Sequence, residues 1–233
     1  MKTLPALTVL ATTAPSSAQT PADTITNLQP IALPKPDKDG GKSVLAALQE
    51  RRTNRNISAE NVSPQVLSNL LWAAFGVNRE NGPFGQVGRT AASASNSQEI
   101  DVYVALAEGI YLYEPVPHRL SPVVAGDHRA KAGGRRRGGG AAQAPVNLIY
   151  VADFAKYAQT RLQEPGLRDP ETQKSYSSVA VGLIAGNVYL FAASQGLAAW
   201  FHNCNKAALA AELKLRPEQH VLYAQTVGHP AKS

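Results

Sequence analysis

The 233-residue sequence predicts an α+β chain. Three observations carry that reading. Helical and strand patterns mix without the regular strand–helix alternation of a parallel sheet. Two β-type runs stand back to back across Glu108-Gly109, and the stretch from Ser177 to Ser194 is apolar on most sides of a helical wheel. With 44% hydrophobic residues the chain can bury one substantial core, so one domain is expected, over residues 42–233.

Each element rests on local chemistry. Ser43 can cap a helix in which Val44, Ala47, Leu48 and Arg51 share a face, and the pattern fades near Thr53. Ser63 and Pro64 open a second helix whose stripe of Val66, Leu67, Leu70, Leu71 and Ala74 stops at Gly76. "DVYVALA" and "IYLYEP" form a hairpin. "PVNLIYVADF" is apolar almost throughout, as a strand covered on both faces would be. After the central helix from Ser177 to Ser194, Gly196 supplies a C-cap. Then come a strand in "LAAWFHN", a helix capped by Asn205, and a last strand, "HVLYAQTVG".

The first 18 residues read as a signal peptide: Lys2, a short apolar run, then Ser16-Ser17-Ala18 with cleavage after Ala18. Export to the periplasm or exterior is the expectation, and a cytoplasmic location if the segment is not a signal. The run is far shorter than the ~20 residues a membrane span needs, and the Ser177–Ser194 stretch is too interrupted by Ser, Gly and Asn to be one. Residues 19–41 are rich in proline and polar groups and are expected to be an extended, solvated leader. The net charge of +6 is scattered and forms no basic arm, so nucleic acid is not an expected partner. A single cysteine, Cys204, excludes an internal disulfide, and His202 beside it lacks a second pair of metal ligands.

"ERRTNRN", residues 50–56, concentrates three arginines where the first helix ends. They could simply interact with the helix dipole in solvent. They could also clamp a phosphate, since guanidiniums fork onto phosphate oxygens and Thr53 adds a hydroxyl donor. Spacing alone does not choose between the two.

Four ordered segments do. "LPKPDKDGGKSVLAALQERRTNRNIS" with "SPQVLSNLLWAAFGVNR", then "ASASNSQ", "NVYLFAASQGLAAWFHN" and "AQTVGHP" together resemble the nitroreductase-like flavoproteins, in particular the branch with streptolysin-type azoline dehydrogenases. The resemblance implies a mostly antiparallel mixed sheet flanked by helices, an intertwined homodimer, and FMN as cofactor. It places Arg51, Arg52, Thr53 and Arg55 on the FMN phosphate and ribityl chain. Ser93, Asn96 and Gln98 correspond to a segment commonly supplied by the partner chain, and Gln195, Gly196 and Leu197 to the backbone that faces the flavin N5 edge. Where some relatives close a basic pair over the phosphate, this chain offers Lys232.

The resemblance has implications for activity as well. Flavin carries the chemistry, so no side chain is assigned a catalytic role, and the acidic residues show no paired spacing for acid–base work. A reduced nicotinamide, NADH or NADPH, would give up a hydride, and a nitroaromatic, quinone or similar electron-poor acceptor would then enter. Two alternatives stay open: an azoline dehydrogenase acting on modified peptides, and a basic binding protein that uses the arginines, Arg135–Arg137 among them, for an acidic polymer. The stretch "KAGGRRRGGGAAQ", residues 131–143, is expected to be a solvated loop or a lid for an anionic cosubstrate. The all-round apolar central helix independently asks for cover, which a dimer core would supply.

Overall fold

Seven antiparallel strands carry the other elements. Their chain order is β1 (Ile31–Ala32), β4 (Ile100–Ala105), β5 (Gly109–Glu114), β6 (Arg119–Ala125), β7 (Val146–Asp153), β8 (Ala198–His202) and β9 (Gln219–Gly228). In space they run β1-β6-β5-β4-β7-β9-β8, while β2 (Val77–Arg79) and β3 (Gly88–Arg89) form a separate ribbon. The computed structural model describes residues 28–134 and 144–232. The segment expected to be a signal peptide and Arg135–Arg137 lie outside the described residues. The expected mixed sheet has no parallel pair among the described residues.

Period-two alternation sorts the sheet's side chains onto two covered faces. Val102, Val104, Leu148, Tyr150 and Ala152 meet α2 (Pro64–Phe75) and α4 (Pro170–Ser194) in one core. Tyr103, Ala105, Ile149 and Val151 form the other core with Leu209 and Leu213 of and just after α5 (Lys206–Glu212), and with Ala132 of the short α3 (Arg129–Ala132). All eight residues of β7 are buried, which is why its sequence shows no alternation.

Helix caps lie where the sequence places them. Ser63 accepts from Val66 N, and Ser43 accepts from Ala46 N at the start of α1 (Val44–Glu50). The central helix is longer than its apolar stretch suggests, starting at Pro170 behind the N-cap Asp169, whose carboxylate accepts from Thr172 N. Its first two turns, "PETQKSY", are polar and hide it from a periodicity search. The Asp-Pro-Glu start signal was nevertheless in the sequence.

Along α4, Ser177, Ala180, Val181, Ile184, Ala185, Val188 and Ala192 face the sheet and α2. The opposite side exposes Val179 (60%) and Leu183 (45%), and α1 beside it exposes Val44, Leu45 and Leu48. Between them Gly182 and Gly186 leave bare backbone, with nothing within 4 Å of where a Cβ would stand. By length and composition this helix could cross a membrane, its most apolar window having a mean hydropathy of 1.5, yet its buried stripe packs on the sheet.

The leader is not simply solvated. From Leu28 on it packs against the core: Ile31 and Ala32 pair with Leu120 and Arg119, and Leu28, Ile31 and Leu33 cover core residues. Ser68 fastens it, donating its hydroxyl proton to Pro34 O (2.5 Å). That leaves the Ser68 oxygen to accept from His118 Nε2 (2.7 Å), while the Tyr113 hydroxyl donates to His118 Nδ1 (2.9 Å). A ring bonded this way is neutral, and burial holds the His118 pKa below its ordinary value. Folding therefore gains from the neutral ring above the unfolded pKa of ~6.5 and loses that gain as pH falls below it. The melting temperature should drop between about pH 7 and about pH 5, and His118→Gln should flatten part of that slope. Equal slopes in both proteins would show that His118 is not the group responsible.

Candidate active site

The segment after α1 is bonded at both ends. Asn54 N donates to Ala199 O on the edge strand β8 (2.9 Å), and residues 56–58 pair with the stretch after β9 through Ala231 N to Asn56 O and Ser58 N to His229 O. The arginine run is thereby held along the sheet edge, beside the C-terminal end of α4. A cavity of about 440 Å³ opens there, lined by Arg51, Arg52, Asn54, Tyr189, Gly196 and Leu197 among others.

Tyr189 organises its wall. Phe201 N donates to the Tyr189 hydroxyl (2.8 Å), and that hydroxyl lies 3.1 Å from Thr53 Oγ1. Either hydroxyl can donate in that contact, so Tyr189 holds the Thr53 side chain against the cavity wall whichever way the proton points. The Arg51 guanidinium sits over the Tyr189 ring at 5.3 Å and the Arg55 guanidinium over the Trp200 ring at 5.3 Å, cation–π contacts that position both side chains. Neither Arg51 nor Arg52 takes part in an ion pair among the described residues; Glu50, next to them, is bonded to Lys42.

The end of α4 forms the floor. Gln195 is the C-cap, Gly196 adopts φ +68°, and Leu197 N donates back to Ala192 O (2.8 Å), the Schellman arrangement. Gly196 is exposed with nothing within 4 Å of its missing Cβ, so a ligand ring can approach the backbone there. Its own amide makes the weakest of these bonds, 3.4 Å to Ala193 O.

Other residues picked out in the sequence lie elsewhere in the chain. Gln195 lines a neighbouring cavity of about 350 Å³, with Ser194, Lys42, Trp72 and Phe191. Ser93, Asn96 and Gln98 form a tight loop after β3, in which Ser93 Oγ accepts from Gln98 N and Gln98 Nε2 donates to Val87 O and Asn96 Oδ1. Gln98 borders a third cavity, whose lining has no residue in common with the arginine cavity. Lys232 is exposed just past Ala231 and lines neither. Tyr189 and Asn54 line the arginine cavity without any motif that marks them as ligands; the one available signal was a tyrosine near the end of the central helix, in "NVYLFAAS".

No cluster of three or more His, Cys, Asp or Glu able to hold a metal occurs among the described residues. His202 is tied to Asn203 O and Thr226 Oγ1, with burial lowering its pKa, and burial pushes the Cys204 thiol up to about 11. Neither group is poised for nucleophilic work at neutral pH.

A mostly antiparallel sheet wrapped by helices, with a cationic cavity at the end of its central helix, defines the oxidoreductase class that comparison with known proteins identifies. The profile of the nitroreductase family matches residues 48–229, and the chain belongs to that family. It is 31% identical over 160 residues to the "Putative nitroreductase MJ1384" of Methanocaldococcus jannaschii, covering 64% of this chain and 73% of that protein. It also resembles the crystal structure of a "putative nitroreductase" from Ralstonia eutropha JMP134, with a TM-score of 0.76 and 33% identity over 89% of this chain and 92% of that one. The E. coli microcin synthetase McbBCD complex shares the fold, at a TM-score of 0.59 and 18% identity over 94% of this chain and 85% of that one.

Proposed function

We propose that the protein is an FMN-dependent oxidoreductase. In this reading it takes hydride from a reduced nicotinamide and delivers it to a small electron-poor acceptor such as a nitroaromatic or quinone. The observation that carries this is a pairing across one cavity: the Arg51 and Arg52 guanidiniums, outside every ion pair among the described residues, and the bare, positive-φ backbone of Gly196. The first suits a terminal phosphate and the second the close approach of a flat ring. Arg51 and Arg52 would neutralise the phosphate and the Thr53 hydroxyl would donate to it. Tyr189 would hold both Arg51 and Thr53 in place. When bound, FMN supplies the hydride chemistry, and the protein contributes binding, orientation and charge.

A second copy of the chain completes the proposal. The Val179, Leu183, Val44, Leu45 and Leu48 face needs cover, and Gly182 and Gly186 permit close approach of a partner helix. In such a homodimer the Ser93–Gln98 loop of one protomer serves the cavity of the other, in keeping with their separation within one chain. The likeness to the microcin synthetase is one of fold and does not select an azoline substrate.

The absorption spectrum tests the cofactor. Purified protein, or protein incubated with excess FMN, should show flavin bands and release FMN, not FAD, on denaturation at one flavin per chain. A colourless protein that gains no flavin would overturn the reading and return weight to a basic binding protein.

A further inference from the structure

We propose that the third cavity, lined by Gln86, Arg89, Ser97, Gln98, Lys156 and Thr160, is an oxyanion subsite that takes the carboxylate or phosphate group of a small substrate. It rests on the flavin reading in calling the ligand a substrate, and Ser97 and Gln98 at its border belong to the loop that in the proposed homodimer also serves the partner's flavin cavity. The cavity holds about 260 Å³, room for an anionic group together with part of the small molecule that carries it.

Arg89 is the central observation. Its side chain is half-buried and takes part in no ion pair among the described residues. Its Nε donates to a neutral amide oxygen, Gln98 Oε1 (2.6 Å), its Cζ lies 5.4 Å from the centre of the Phe75 ring, and its Nη1 is buried with no acceptor among the described residues. A guanidinium carries five donors and keeps its charge at neutral pH, and a buried Nη1 with no acceptor is a position that an anion would satisfy. Burial lowers its pKa, and Asp101, which favours the charged form, is already bonded to Lys156 Nζ (2.5 Å). Lys156 also reaches Gln98 O (3.3 Å) and lines the same cavity. The lining therefore carries two cations and, of its own, no carboxylate.

The loop that presents Ser97 and Gln98 is held in a costly conformation. Ser95, Asn96 and Gln98, none of them glycine, adopt φ of 49°, 53° and 50°. Four bonds from Asn96 and Gln98 to Val87, Gln86 and Pro83 keep it so, and Ser95 donates to Glu164. Such over-determination fixes the cavity wall, and through Gln98 Oε1 the position of Arg89, before a ligand arrives.

Calorimetric titration of the flavin-loaded protein with benzoate and with inorganic phosphate tests the proposal. At least one probe should bind once per chain; benzoate alone identifies a carboxylate ligand and phosphate alone a phosphate ligand. Arg89→Gln should weaken that binding by about tenfold or more, with Arg89→Lys intermediate because it keeps the charge and loses the fork. Since Arg89→Gln also removes the bond to Gln98, Lys156→Gln is the second variant, with a several-fold loss expected. Arg51→Ala, which should lose flavin, should retain the probe, so the failure of one site is distinguishable from failure of the other. The proposal is overturned by no binding of either probe, by equal affinity in Arg89→Gln and the parent, or by release of flavin in step with probe binding, which would merge this cavity with the flavin site.

Discussion

Replacing Arg51 with alanine should weaken FMN binding by roughly ten- to a hundredfold, the effect of losing a charge-assisted hydrogen bond worth ~1.5–3 kcal/mol. Arg51 lines the arginine cavity, has no ion-pair partner among the described residues and lies over Tyr189, so its positive charge is available to a ligand at no cost to an internal pair. Arg168, an exposed arginine outside that cavity, is the control and should change affinity little. Fluorescence titration of the apoproteins measures both. Equal dissociation constants for Arg51→Ala and Arg168→Ala would mean that the phosphate has been placed in the wrong cavity.

Leu183→Glu should separate the proposed dimer into single chains and release its flavin. Leu183 is 45% exposed in one protomer, and the neighbouring glycines leave space beside it, so a glutamate there costs the lone chain little. Across a two-fold interface the same change buries two like charges close together, and desolvation alone costs several kcal/mol. Size-exclusion chromatography and flavin content should fall together, while the melting profile of the isolated chain stays cooperative. A dimer that survives the substitution with full flavin would place the partner on another face.

Sequence made the helix caps readable because Ser43, Ser63 and Asn205 act through bonds to amides three residues away, a purely local chemistry. It made β7 readable for the opposite reason, since a strand covered on both faces needs only apolar residues. Strand β6 escaped notice because Pro122 interrupts it; the ladder there accommodates a register shift opposite Ile110 and Tyr111 that no pattern announces. The leader's place was hidden as well: pairing of Ile31 with Leu120 is a long-range event, and the polar composition around it argued for solvent. At the candidate site the arginines and Gly196 were legible through charge and cap chemistry. The role of Tyr189 was not, because its two bonds reach Thr53 and Phe201 from elsewhere in the chain. Arg89 gave no sign either, since an unsatisfied guanidinium is defined by what surrounds it.

The lacing of residues 56–58 to the stretch after β9 bears on how the protein is made. During synthesis the arginine run emerges early, but the bonds from Ser58 to His229 and from Ala231 to Asn56 cannot form until β9 has left the ribosome. The edge strand β8, whose Ala199 holds Asn54, pairs among the described residues with β9 alone and waits for it too. A nascent chain therefore passes through most of its translation with the arginines proposed to hold the phosphate unanchored. On the proposed reading, cofactor capture is a late checkpoint on chain completion, and truncation within β9 should abolish it even though every arginine is present.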